Sequence, residues 1–411
     1  MQTQAGPYWQ KRLVERLAAV DAAGLRRVRR VLSGPQQVMV QVDGHALLNF
    51  SSNDYLGLAS HPEVVAALRD AATRYGVGSG AAHLVSGHSA AHEALEQALA
   101  DFTGRERALL FSTGYMANLG ILSALAGRGD WILQDRLNHA SLLDGALLSR
   151  ARLIRYPHLD VAALDRRLCA CPVANRLVVT DGVFSMDGDL APLPELARLA
   201  RRREACLIVD DAHGLGVLGT NGEGSLQHGG VSDPAAVPVL MGTLGKALGT
   251  FGAFVAGSVD LIDCLLQTAR TFVYTTALPP ALAMATLTSL RLVREEAWRR
   301  TRLLQQVTRL RAGLTACGWH GLLLPSITPI QALILGSNRR VAEAGQQLAR
   351  AGFWVGVIRP PTVPEGTARL RIALSALHTE DQVDALVAAL DALLTQWMPE
   401  DRFNPAGGIA C

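Results

Sequence analysis

Only two of the 39 Lys and Arg residues are lysines, Lys11 and Lys246. Arginine can replace lysine in surface solvation and salt bridges, but it does not give up its proton at ordinary pH and cannot form an imine with an aldehyde. A chain this poor in lysine keeps one where an amine, rather than a charge, is required. Lys11 lies in a polar amino-terminal stretch and reads as solvated. Lys246 lies in Met241-Gly-Thr-Leu-Gly-Lys-Ala-Leu-Gly249, between apolar runs and among glycines, which is a place for a reacting side chain.

Four further features could serve such an amine. Asp210 closes the apolar run Leu207-Ile-Val-Asp210, and an acid at the carboxyl end of a buried parallel strand lies where such sheets bind ligands. Alone it would read as a turn or capping residue. His139, in Leu137-Asn-His-Ala-Ser141, precedes a helical pattern and could lay its ring on a cofactor, although a lone histidine there is more often a turn residue. Phe111-Ser-Thr-Gly-Tyr-Met-Ala-Asn118 reads as a strand passing through Gly114 into a helix, whose free N–H groups could hold a phosphate. Arg371, inside an apolar strand pattern, needs an anion: either a structural carboxylate or a substrate's. An imine lysine, an acid for a ring nitrogen, a phosphate cradle and a carboxylate clamp together fit pyridoxal 5′-phosphate.

Other patterns are decoys. Gly214-Leu-Gly-Val-Leu-Gly219 matches the dinucleotide fingerprint, but Thr220-Asn-Gly-Glu-Gly224 cannot form the helix that fingerprint requires. Gly245-Lys246 lacks the hydroxyl residue and first glycine of a phosphate loop. His83, His88 and His92 are set aside as metal ligands, with no carboxylate or cysteine taken to complete the set. Cys169-Ala-Cys171 has the wrong gap for a zinc or redox pair.

The elements that must position these residues follow from hydrophobic pattern. Apolar runs at 108–111, 153–156, 177–180, 207–210, 238–241 and 252–256 alternate with helical patterns such as 141–149 and 194–203. That alternation predicts an α/β fold whose central sheet is mainly parallel and sandwiched by helices. A leading amphipathic helix is expected over 8–31, and one long helix over 282–316. Segments at 331–335, 340–351, 354–358, 369–374 and 380–394 predict a smaller carboxy-terminal α+β domain. The expected division is 1–48 as an extension, 49–285 as the cofactor domain, 286–398 as the small domain and 399–411 as a loose tail.

Bulk properties narrow the class. With 411 residues, 49% hydrophobic content and a net charge of +3, the chain can bury a large core and offers no basic face for nucleic acid. Six cysteines are read as reduced thiols of a cytoplasmic protein. The uncharged stretches 108–127 and 271–290 are broken by polar groups and by Pro279-Pro280, so neither is read as a membrane span.

From about residue 20 to about residue 395 the sequence resembles the pyridoxal-phosphate-dependent α-oxoamine synthases. The resemblance rests on Asn49-Phe-Ser-Ser-Asn-Asp-Tyr-Leu-Gly-Leu58, Thr180-Asp-Gly-Val-Phe-Ser-Met-Asp-Gly-Asp189 and Val209-Asp-Asp-Ala-His-Gly214. Ile358-Arg-Pro-Pro-Thr-Val-Pro364, with Gly366-Thr-Ala-Arg-Leu-Arg371, is similar to the biotin-pathway branch in particular. This implies a fold-type-I homodimer with active sites at the subunit interface. It implies decarboxylative condensation of L-alanine with a pimeloyl thioester, carried on coenzyme A or on an acyl carrier protein. It also implies roles: Lys246 bears the cofactor, Asp210 meets the pyridine nitrogen, His139 stacks on the ring, and His213 and Ser185 face the phenolic oxygen. Gly114, Tyr115 and Thr243 would hold the phosphate, with Thr275 and Thr276 reaching over from the other subunit. Asn53 and Arg371 would hold the amino-acid carboxylate, and Arg27 the far carboxylate of the acyl group.

Three departures stand out: Gly78-Ser-Gly-Ala-Ala82 where the family reads Gly-Ser-Gly-Gly-Ser, Asp181 for Glu, and Leu159 for Asn. The rival readings are a glycine C-acetyltransferase, a 5-aminolevulinate synthase or a serine palmitoyltransferase. A non-catalytic partner subunit of the same fold would be expected to lack the lysine.

Overall fold

The computed structural model describes residues 7–172 and 174–397, so the expected loose tail at 399–411 lies outside the described residues. Among the described residues, twelve strands form two sheets. In chain order they are β1 (Met39–Val42), β2 (His45–Phe50), β3 (Arg107–Phe111), β4 (Trp131–Asp135), β5 (Arg152–Tyr156) and β6 (Arg176–Asp181). They continue with β7 (Cys206–Asp210), β8 (Val239–Thr243), β9 (Ala253–Gly257), β10 (Ile330–Gly336), β11 (Phe353–Ile358) and β12 (Ala368–Ala373).

The larger sheet runs β3-β9-β8-β7-β6-β4-β5, and within it only β9 is antiparallel to its neighbours. Its strands are apolar on both faces because both faces are covered. Leu177 and Val179 of β6 pack with Ile208 of β7 on one side, while Val178, Leu207 and Val209 pack on the other. The parallel strands all end at one edge, which puts Asp135, Asp181, Asp210 and Thr243 side by side there.

The smaller sheet runs β1-β2-β11-β12-β10. Its first two strands come from the amino-terminal region, with β2 pairing parallel to β11. Neither of these short strands, nor β4, stood out in the hydrophobic pattern.

Two expected helices are shorter than their patterns. The leading helix covers Tyr8–Ala22 and stops before Gly24, which takes a left-handed φ of 65° that ends helices cheaply at glycine. None of its residues is buried, and Tyr8, Trp9, Leu13, Val14 and Leu17 are exposed. The expected helix over 282–316 is two helices, Pro280–Glu295 and Trp298–Ala316. The break falls at Glu296 (φ −101°, ψ 57°), whose carboxylate instead receives Arg299 Nε at 2.6 Å. Among the described residues no helix is long and apolar enough to cross a membrane.

Candidate active site

Lys246 lies in the turn after β8, and its Nζ is 2.8 Å from His213 Nε2. His213 Nδ1 is 2.8 Å from Tyr55 Oη, which donates to Asn53 Oδ1 at 3.0 Å. Arg371 in β12 donates to Asn53 Oδ1 at 3.1 Å, to Tyr55 Oη at 3.4 Å and, through Nε, to the Ser185 carbonyl at 2.6 Å. One proton arrangement satisfies this chain: Tyr55 donates to Asn53, so it accepts from His213 Nδ1–H, which leaves Nε2 bare to accept from Lys246.

Burial explains the protonation states. Desolvation lowers Lys246 to about 8, with Arg371 adding to the shift and Asp210 and Asp181 opposing it. His213 is held well below its ordinary value by burial, then by the charges of Lys246 and Arg371. It is therefore a neutral relay between the two cations.

A second chain reaches Asp210. Asn118 Nδ2 donates to Asp210 Oδ2 at 2.7 Å and to Ser141 Oγ at 2.8 Å. Ser141 Oγ is 2.7 Å from His139 Nδ1, which also accepts the Ser141 backbone N–H at 3.3 Å. His139 is thus neutral with its proton on Nε2; burial and Lys246 lower its pKa against the pull of Asp210. Asp181, opposite Asp210 across β6 and β7, accepts the His139 backbone N–H at 2.9 Å. Burial, then the neighbouring Asp210 carboxylate, raises Asp181 well above its ordinary value.

The helix Gly114–Leu125 begins beside this group, with Thr113 accepting Met116 N–H at 3.1 Å. Its first turn still points N–H groups outward. Thr243 sits three residues before Lys246 at the end of β8. The donor set matches the requirements of pyridoxal phosphate: an amine whose pKa is lowered to about 8, a buried carboxylate, a neutral flat ring and a helix amino terminus.

Over residues 45–390 the sequence matches the aminotransferase class I and II family. An 8-amino-7-oxononanoate synthase of Methylococcus capsulatus is 63% identical over 91% of this chain and 96% of its own length. The chain belongs to the class I and II aminotransferase family, among its 8-amino-7-oxononanoate synthases. A serine palmitoyltransferase from S. paucimobilis, solved with a bound PLP–myriocin aldimine, matches with a TM-score of 0.88 at 32% identity, covering 94% of this chain and 98% of that one. The 8-amino-7-oxononanoate synthase of Francisella tularensis matches with a TM-score of 0.74 at 31% identity, covering 85% and 98%. The sequence and shape rankings differ. The 63% identity carries more weight for chemistry, because a TM-score reports backbone placement, which members of one family share across substrates. The cofactor of this family member is pyridoxal 5′-phosphate.

The fold gathers Lys246, His213, Asn53, Arg371 and Ser185 into one network, and Asp210 and His139 into the adjoining one. Ser185 takes part through its carbonyl. Tyr115 is exposed and its hydroxyl donates to Asp144. Thr276 is exposed and pairs with Ala82 through the backbone; no hydrogen bond among the described residues joins Thr275 or Thr276 to the Lys246 group. Arg27 is likewise exposed, in a segment held where Arg359 donates to the carbonyls of Gly24 and Arg26. Sequence reading missed Tyr55 and Asn118, whose links to His213 and Asp210 span 158 and 92 residues. It also missed Asp211, whose carboxylate takes the Ser225 N–H at 2.7 Å. A Cβ at Gly214 or Gly224 would collide with that carboxylate. The apparent dinucleotide fingerprint is therefore a turn wrapped around a buried acid.

Proposed function

We propose that this chain condenses L-alanine with a pimeloyl thioester, releasing carbon dioxide and the free thiol and yielding 8-amino-7-oxononanoate for biotin synthesis. The observation that carries the reading is the pairing of an amine near neutral pH with a buried arginine that has no carboxylate of its own. Arg371 is 6% exposed and makes no ion pair among the described residues, whereas Arg369, two residues earlier, is paired with Asp187. A buried guanidinium held only by neutral acceptors is suited to a substrate carboxylate.

Bound pyridoxal phosphate supplies an electron sink for the carbanion at the alanine Cα. The protein's residues do the rest. Lys246 would hold the cofactor through its amine and would remove the Cα proton of bound alanine; a pKa of about 8 suits both tasks. Asp210 keeps a proton on the pyridine nitrogen, and Asn118 fixes the orientation of Asp210. Arg371 and Asn53 hold the alanine carboxylate so that the Cα–H bond faces Lys246. His139, with its proton on Nε2, stacks on the ring and offers that N–H to the thioester carbonyl. His213 and Ser185 face the phenolic oxygen. Gly114, Tyr115 and Thr243 receive the phosphate, completed by Thr275 and Thr276 of a second subunit in a homodimer, and Arg27 meets the far carboxylate of the pimeloyl group. On this reading residues 49–285 carry the cofactor, residues 286–398 bring Arg371 to it, and the enzyme works in the cytoplasm. The open apolar side of the helix Tyr8–Ala22 supports the homodimer.

The test is product analysis with L-alanine, glycine and L-serine, each against pimeloyl-CoA, pimeloyl carrier protein and palmitoyl-CoA. The expected product is 8-amino-7-oxononanoate from alanine and a pimeloyl donor; preferred turnover of serine with palmitoyl-CoA would replace this reading with the one the S. paucimobilis fold match favours.

A further inference from the structure

Three imidazoles that the catalytic site does not use converge beside the segment carrying Thr275 and Thr276. His83 opens a π-helical turn, His83–Gly87, that folds the chain back so that His88 and His92 face it. The ring centroids are 5.2 Å apart for His83 and His88, 5.0 Å for His83 and His92, and 5.4 Å for His88 and His92. One ring nitrogen from each lies within 4.8 Å of the other two. Sequence reading took no carboxylate to complete the trio, although Glu93 directly follows His92; in the fold, Glu93 Oε2 lies 3.2 Å from His88 Nε2.

The outer hydrogen bonds are those of metal ligands. A ligating imidazole usually donates its other N–H to a carboxylate or backbone carbonyl. His88 Nε2 meets Glu93, and His92 Nε2 is 2.5 Å from the Leu278 carbonyl. That leaves Nδ1 of each ring for an inner partner. His83 Nδ1 and His88 Nδ1 already face each other at 2.9 Å. Two nitrogens bound tetrahedrally to zinc at about 2.0–2.1 Å stand about 3.3 Å apart, so a small ring movement admits the ion. His92 Nδ1 accepts the Ser89 N–H at 3.0 Å, so it bears a lone pair rather than a proton and can exchange that bond for a metal.

We propose that His83, His88 and His92 form a binding site for a borderline divalent transition-metal ion such as Zn²⁺, with Glu93 orienting His88. His83 and His88 are the primary donors and His92 closes the triangle. The all-nitrogen set selects Zn²⁺, Ni²⁺ or Cu²⁺ over Mg²⁺ and Ca²⁺. Because Leu278 and the Ala82–Thr276 bridge adjoin the site, an ion there ties the His83–His92 turn to the chain approaching Thr276.

The test uses the holoenzyme, stripped with a chelator and desalted. It is titrated with Zn²⁺ by calorimetry and with Co²⁺ by its visible ligand-field bands, with excess Mg²⁺ present. The expected result is one site per chain, weakened by about 100-fold in His83→Ala and in His88→Ala and by about 10-fold in Glu93→Gln. Binding in the control His45→Ala should match the parent, and metal-free turnover of His88→Ala should be unchanged. Absence of saturable binding, or equal binding by a His83→Ala/His88→Ala double variant of native circular dichroism, overturns the proposal.

Discussion

Arg369 and Arg371 project from the same face of β12, two residues apart and equally buried, yet they belong to networks of opposite character. Arg369 meets Asp187, and the neighbouring His158 bridges Asp135 at 2.9 Å and Asp189 at 2.7 Å. Burial opposes a charge on His158, but hydrogen bonds to the two carboxylates override it and raise its pKa to about 10. Every charge there has a partner. The result is a clamp joining the loop after β4, which leads to His139, to the loop that carries Ser185. Around Lys246 and Arg371, by contrast, two cations are connected through neutral Asn53, Tyr55 and His213, and the pKa of Lys246 falls to about 8. Paired charges make rigid structure. Charges left without counterions are held ready for ligands that bring them.

The largest effect should come from breaking the open network. Lys246→Arg keeps the charge but removes the amine proposed as both cofactor anchor and base, and should lower turnover by more than about 10⁴-fold. Lys11→Arg, in an exposed pair with Glu15, should leave turnover unchanged. Steady-state kinetics on the two variants checks both. Next, Arg371→Lys should raise KM for alanine by roughly 10- to 100-fold through loss of bidentate geometry, while the circular dichroism spectrum stays native. The same substitution at Arg369 should instead appear as lost stability.

The closed network breaks differently. His158→Gln leaves Asp135 and Asp189 facing a neutral group and should cost about 3 kcal/mol in chemical denaturation. Because the folded pKa of His158 lies above its unfolded value, its contribution is complete below about pH 6.5 and fades as pH rises through about 10. The difference between parent and variant should therefore shrink over that window. A pH-independent difference would mean that His158 acts by packing alone.

For Lys246 the sign is reversed. The amine is free above about 8, so its capture of added pyridoxal phosphate, followed by absorbance, should accelerate through that pH rather than through 10.5. The smallest effect is at Leu159, whose φ of 57° is costly for a side chain branched like leucine but tolerated by asparagine, the residue the family resemblance leads one to expect. Leu159→Asn should raise stability by about 0.5 kcal/mol, the relieved strain exceeding the loss of a partly buried side chain.

Much of the site was legible in one dimension because its residues carry unusual chemistry in ordinary surroundings. A single lysine among glycines, an acid closing an apolar strand and an arginine inside another each break a pattern that burial would otherwise impose. Tyr55 and Asn118 break no pattern: a tyrosine and an asparagine in mixed segments gain meaning only from partners far along the chain. Strands β1, β2 and β4 went unread because polar residues interrupt their apolar runs: Gln41 in β1, His45 and Asn49 in β2, and Gln134 and Asp135 in β4.

The amino-acid sequence by itself determined the cofactor chemistry, the main sheet and which residues are proposed to react, since side-chain type and apolar periodicity are local properties. Tertiary structure alone decided which buried cations are compensated. It set Arg369 against Asp187 and left Arg371 open, made His158 charged and His213 neutral, and closed three histidines into a triangle. Protonation and charge balance depend on distances between residues remote in sequence and on how far water is excluded from between them.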